Sequence, residues 1–250
     1  MNLLSEALAW IFGPDSDVAQ RLGEHLSYTL LAFVLACVIA IPLGYLIGHT
    51  GKGREVAVTI AGAARALPSF GLILLLVLLI GVLQIVPAVT LALVLLAIPS
   101  ILAGAYAGLE AIDRSTVDAA RAIGMTEWQI LTKVEIPLGL QLLISGMRAG
   151  ILQIVATATL AAYVGLGGLG FPVIQGIAVR RFDETLGGAL LVVLLALLLD
   201  TVFAVLERLA VPRGVRLGRG RGDRRRRPSR RTAEQNADAA ARLARAGAPT

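Results

Sequence analysis

The stretch Asp118-Ala119-Ala120-Arg121-Ala122-Ile123-Gly124, closed thirteen residues later by Pro137, is a polar insert in a chain that otherwise reads as lipid-soluble helix. Ser115 followed by Asp118 has the spacing of a capping box and starts a helix. Gly124 stands where a C′ glycine ends it. Thr126 with Gln129 is a second capping box, and Pro137 ends the second helix at the entry to the next apolar run. That second helix carries Trp128, Ile130, Leu131 and Val134, more apolar surface than a solvated loop requires. Residues 110–137 thus read as an amphipathic double helix, suited to a membrane surface or to a partner's groove.

The insert decides the fold because of what flanks it. Of 250 residues 56% are hydrophobic, and the mean hydropathy is +0.78. Charged residues make up 16%, against about 25% in soluble domains. The apolar residues come in long runs rather than in alternation, which specifies an all-α polytopic membrane protein and excludes a transmembrane β-barrel. A span needs about 20 apolar residues. Five runs qualify: 27–48, 55–83, 88–109, 138–164 and 186–209. Pro68 breaks or kinks the second, with Arg65 one turn before it, and Pro99 lies in the middle of the third. If residues 55–83 form two separate elements the count is six.

Residues 213–250 hold 12 Arg and 3 acidic residues, whereas residues 1–212 hold 11 Lys and Arg against 14 Asp and Glu. The net charge of +6 therefore belongs to the tail. Three parts follow: an N-terminal segment 1–24, a membrane domain 25–212 with the insert at 110–137, and a disordered basic tail 213–250. The tail reads as a solvated segment that fixes topology, with contact to anionic lipid headgroups or RNA as the other reading. Lys and Arg concentrate on the cytoplasmic side of membrane helices. Lys52, Arg54, Arg114, Arg121, Lys133 and the tail then lie inside, and Arg21, Arg180 and Arg181 outside. An odd number of spans fits, with the segment 1–24 outside and the C-terminus cytoplasmic. Glu6, Asp15 and Asp17 in the first residues do not read as a secretory signal. Cys37 alone builds neither disulfide nor metal site, and His25 and His49 read as interfacial residues flanking the first span.

Asp118-Ala119-Ala120, three residues, Gly124, nine residues, then Val134-Glu135-Ile136-Pro137 resembles the "EAA" loop of permease subunits of ABC importers. Asp118, Val134 and Ile136 are conservative departures from it. The resemblance implies a type I, methionine-importer-like transmembrane fold with a cytoplasmic coupling helix docked in a cleft of the ATP-hydrolysing subunit. It assigns that docking to Asp118, Ala119, Ala120 and Gly124, shaped by Met125, Glu127 and Trp128 and closed by Pro137. Over residues 25–210 the chain is similar to betaine, choline and carnitine permeases. The marks are Arg65-Ala66-Leu67-Pro68-Ser69, Glu127 to Leu131, Ala156 to Ala162 and the segment Gly165-Leu166-Gly167-Gly168-Leu169-Gly170. Methionine permeases keep a similar Gly-rich segment and are the alternative. The partners implied are ABC ATPase subunits, an extracytoplasmic solute-binding protein, a second permease copy or paralogue and membrane lipid, without nucleic acid.

The glycines at 165–170 form neither a dinucleotide fingerprint nor a P-loop, and the chain has no G-x4-G-K-[ST]. ATP and magnesium are therefore expected on a separate chain, with no cofactor or metal here and no catalytic residue. Pro68, Ser69, Thr157, Thr159, Gly165, Gly167 and Gly168 are candidates for pathway or gating roles, and the glycines also suit close helix packing. Arg148 and Asp200 sit at matching depth; they either pair or snorkel separately to the inner interface. Only 12 residues are aromatic, and no cage for a quaternary ammonium is readable. A secondary transporter would need inverted repeats and midplane ion ligands, and neither is found. A membrane scaffold acting through its tail is the remaining rival.

Overall fold

In hydrocarbon a helix satisfies its own backbone, so association rests on close packing, and small residues permit the closest approach. The computed structural model describes residues 2–14 and 16–210 and follows this rule. Helix α1, Leu3–Ile11, precedes α2, Val18–Thr50. One edge of α2 carries Ala32, Ala36, Ala40, Gly44 and Gly48, all buried, spaced one helical turn apart. That edge meets α5, Ile85–Glu110. A Cβ on Gly48 would stand 2.9 Å from the Tyr106 carbonyl oxygen. On its other side α5 meets α8, Ile136–Ala158, through two glycine pairs. A Cβ on Gly104 would come 2.8 Å from the Gly146 Cα, and one on Gly108 2.6 Å from the Gly139 carbonyl oxygen. Backbone thus packs on backbone down the middle of the bundle.

The second apolar run is broken, as its proline suggests. Helix α3, Arg54–Ala66, and helix α4, Ser69–Ile80, meet at 91° across Leu67 and Pro68. By length and composition the four long helices can each cross a membrane, and this bent pair, counted as one interrupted span, gives five. Helix α6, Arg114–Ala122, and the single turn α7, Glu127–Ile130, form the insert. Pro137 does not end the second helix. The backbone runs from Glu127 to Val164 without a break. A π turn, Leu131–Glu135, leads directly into α8. The Ile136 N–H reaches back five residues to the Leu131 carbonyl. This wider turn absorbs the missing N–H and the ring bulk of a proline at the start of α8.

After α8 a 3-10 stretch, Thr159–Val164, leads to the glycine segment, then α9, Gly170–Ala178, and α10, Phe182–Ala210. One face of α10, with Val193, Leu194, Leu197, Leu198, Val202 and Leu206, is exposed and apolar, the pattern of a lipid-facing helix. The boundary expected between residues 24 and 25 falls inside α2, which starts at Val18. At about 1.5 Å per residue, its 33 residues make a helix of about 50 Å, longer than hydrocarbon requires. The segment before α2 holds its own helix, and α1 packs on α10. The expectation for residues 213–250 lies outside the described residues.

Candidate coupling site

Helix α6 starts at an N-cap that the spacing argument misplaces. Asp113, not Ser115, is the cap: its Oδ1 accepts from the Ser115 N–H at 3.0 Å. That hydrogen bond holds the Asp113 carboxyl below its ordinary pKa. The far end is a full Schellman motif. Gly124 has φ +84°, the Gly124 N–H donates to the Arg121 carbonyl, and the Met125 N–H donates to the Ala120 carbonyl. Thr126 and Gln129 form the expected capping box, each side chain accepting from the other's N–H.

These caps sort the candidate docking residues onto two sides. The motif folds Met125 back, so Ala120 and Met125 pack with Val117 and Ile130 inside the loop. Ala120 is buried and Met125 half-buried on the inner side of the loop. Asp118, Ala119, Gly124, Glu127 and Trp128 are exposed, as is Pro137 at the root of α8. Ile123 is 79% and Trp128 73% exposed, an apolar pair on an otherwise polar tip.

A chain of charges ties this tip to α2. Arg121 donates to Asp118 at 3.2 Å and, through Nε and Nη2, to both Glu127 oxygens at 2.8 and 3.0 Å. The bond to Glu127 raises the Arg121 pKa. Glu127 Oε2 lies 3.5 Å from His49 Nε2, and His49 Nδ1 lies 2.5 Å from Glu135 Oε2. Glu135 is 3% exposed. A buried carboxylate is costly unless paired, and a protonated His49 ring can donate to both carboxylates. Arg121 and Glu135 lie within the quoted motif without a role there, and His49 lies outside it; the structure joins all three in one charge chain. One local signal was available: Glu135 interrupts an apolar stretch and so needs a partner. The partner, 86 residues away in sequence, was not readable.

At the opposite end of α8 the glycine segment is stitched to α2. Gly165 and Gly168 have φ +86° and +74°. The Gly168 N–H donates to Glu24 Oε2 at 2.8 Å, and a Cβ on Gly167 would collide with the same carboxylate. His25 is buried, not interfacial, with Nε2 3.3 Å from the Val155 carbonyl oxygen. The Arg21 guanidinium sits 4.1 Å from the Phe171 ring centroid. Thr157 is buried and its hydroxyl accepts from Gln153 at 3.2 Å; the Thr159 hydroxyl donates to the Ala156 carbonyl. Pro68 and Ser69 lie at the α3–α4 break, where Ser69 lines a polar cavity with Arg65, Ser100 and Gln153. The structure brings Arg148 and Asp200 together in a forked pair, Nε–Oδ1 and Nη2–Oδ2 both 2.6 Å, with Glu207 3.6 Å from Nη1.

Residues 40–215 match the family of binding-protein-dependent transport system inner membrane components. The chain is 31% identical over 212 residues to the glycine betaine/carnitine/choline transport system permease protein OpuCB of Bacillus subtilis, covering 85% of this chain and 97% of that protein. It is 36% identical over 200 residues to the osmoprotectant import permease protein OsmW of Salmonella typhimurium, covering 77% and 91%. In fold it is similar to the inward-facing MetNI methionine ABC transporter, with TM-score 0.68 at 22% identity, covering 78% of this chain and 96% of that one. The chain belongs to the family of binding-protein-dependent transport system inner membrane components.

Proposed function

We propose that this permease subunit carries small quaternary-amine osmoprotectants of the glycine betaine, carnitine and choline class across the plasma membrane, driven by ATP hydrolysed on a separate subunit. The observation that carries this reading is similarity, over more than nine-tenths of each relative, to a permease named for glycine betaine, carnitine and choline and to one named for osmoprotectants. The likeness to a methionine transporter is one of fold alone and does not bear on cargo.

In this reading the α6 end faces the cytoplasm, where the exposed tip of Asp118, Ala119, Ile123, Gly124 and Trp128 enters a cleft of the ATPase. Closure of the ATPase pair pulls on that tip. The unbroken helix from Glu127 transmits the displacement into α8, and His49 passes it to α2. The path then switches between inward and outward access, a two-state change biased by nucleotide. Two permease chains line the path, and a binding protein delivers solute from outside.

The test is reconstitution of the chain with its ATPase and binding protein in proteoliposomes. ATP-dependent uptake of glycine betaine, with no uptake of methionine, is the expected result. Methionine uptake without glycine betaine uptake contradicts the cargo, and uptake without ATP contradicts the mechanism.

A further inference from the structure

We propose that the cavity at the α3–α4 break is a transit site for the carboxylate of a zwitterionic solute, with Arg65 as its binding group and as the residue that disfavours cargo lacking a carboxylate. This rests on the cargo class proposed above. The cavity is about 370 Å³ and is lined by Ala64, Arg65, Leu67, Ser69, Leu96, Ser100 and Gln153. Its polar groups are one guanidinium, two hydroxyls and one amide. It lies deep: Ser100 is ten residues from the α5 end at Glu110, about 15 Å at helical rise, half of a hydrocarbon layer of about 30 Å.

Three observations point to a ligand with a carboxylate. A cation at this depth needs a partner or water. Arg65 has one long hydrogen bond, 3.4 Å from Nη2 to the Pro99 carbonyl, and no ion pair among the described residues. Arg148, also within the bundle, is answered by Asp200 and Glu207, so this fold pairs the intramembrane arginine that it holds for structure. The sharp bend at Leu67–Pro68 interrupts the helical ladder within the apolar run, which hydrocarbon tolerates only where the backbone is covered by protein or lines a water-filled cavity.

A guanidinium forks onto a carboxylate with two parallel hydrogen bonds. Glycine betaine and carnitine present that group. Choline does not, and it brings its positive charge towards Arg65. Phe70 follows Ser69 in the chain and meets Tyr163 with ring centroids 5.2 Å apart, which places aromatic surface beside the break for the ammonium end.

The experiment measures uptake of radiolabelled glycine betaine and choline in proteoliposomes holding the complete transporter, for wild type, R65Q and R65K. R65Q should lower glycine betaine uptake about tenfold, the scale of one lost charge-assisted hydrogen bond, with choline uptake kept or raised as the like-charge repulsion is removed. R65K should keep an intermediate rate because the charge remains but the fork is lost. Equal loss of both solutes, or no loss of either, overturns the proposal. A second readout guards against a folding defect in R65Q. In a Cys37→Ala background, S100C should react faster with an anionic sulfonate thiol reagent than with a trimethylammonium one, and R65Q should abolish that preference. Equal rates in both backgrounds overturn the site. Failure of the wild type to take up any quaternary amine overturns the cargo reading and this inference with it. Normal wild-type uptake that R65Q leaves unchanged overturns this inference alone.

Discussion

The two ends of α8 contrast. At the α6 end the chain turns outward on caps that are all local, and the tip it presents is exposed, with Ile123 and Trp128 in the open. At the other end the Gly168 N–H of the glycine segment is met by Glu24 of α2, and the neighbouring His25 bonds the Val155 carbonyl of α8, both more than a hundred residues away in sequence. Both ends use left-handed glycines, but Gly124 has open space where its side chain would be, and Gly168 has His25. The difference shows which turn is held by its own caps and which by another element. The α6 end holds its shape without using its outer face, and the opposite end relies on Glu24 of α2.

The contrast can be broken most strongly at Gly168. G168V places a β-branched residue at positive φ and drives it against His25, so the loss should be about 3 kcal/mol or more. Unfolding of the purified chain in mild detergent measures it. E24A should come next. It strips the Gly168 N–H of its acceptor at a cost of about 1–2 kcal/mol, whereas E24Q, which keeps an acceptor oxygen, should recover most of this. G124A should cost only the backbone conformation, about 1 kcal/mol, because nothing occupies the space beside it. A cost at Gly124 equal to that of G168V would erase the distinction between the ends.

Trp128→Ala should leave unfolding within about 0.5 kcal/mol, as expected for an exposed side chain, yet lower the stimulation of ATP hydrolysis. The smallest effect is with pH. The Asp113 pKa is depressed in the folded chain, so its cap contributes above the ordinary carboxylate range and is lost only as pH falls through the lower folded value. The protection factor of the Ser115 amide should therefore hold at pH 5 and fall only below about pH 4.

The parts of this picture that were legible in the sequence are those fixed within a few residues. Thr126 with Gln129 and the glycine at 124 announce their turns because cap and capped group are neighbours. Asp113 and Ser115 lie two residues apart and both make good caps, so spacing alone could not choose between them. Pro137 reads as a stop because proline breaks the i to i−4 ladder, and only the π turn, a matter of backbone register, lets the helix continue. The broken span was visible at Pro68, but the 91° bend was not. The Gly104–Gly146 and Gly108–Gly139 pairs join two helices whose relative rotation no single sequence states. The partners of Glu24, His49 and Glu135 were not legible for the same reason, since each lies on another element.

The central claim is that the exposed tip of α6 and α7 is where the energy source engages this chain. The most direct measurement is co-purification of the tagged permease with its ATPase, comparing wild type with D118K and G124W. Both substitutions fall on exposed positions, and D118K costs one solvent-exposed ion pair of roughly 0–1 kcal/mol, so the permease itself should purify normally. The account predicts that the ATPase is recovered with wild type and lost from both variants. Undiminished recovery with both, together with undiminished stimulation of ATP hydrolysis, would contradict it.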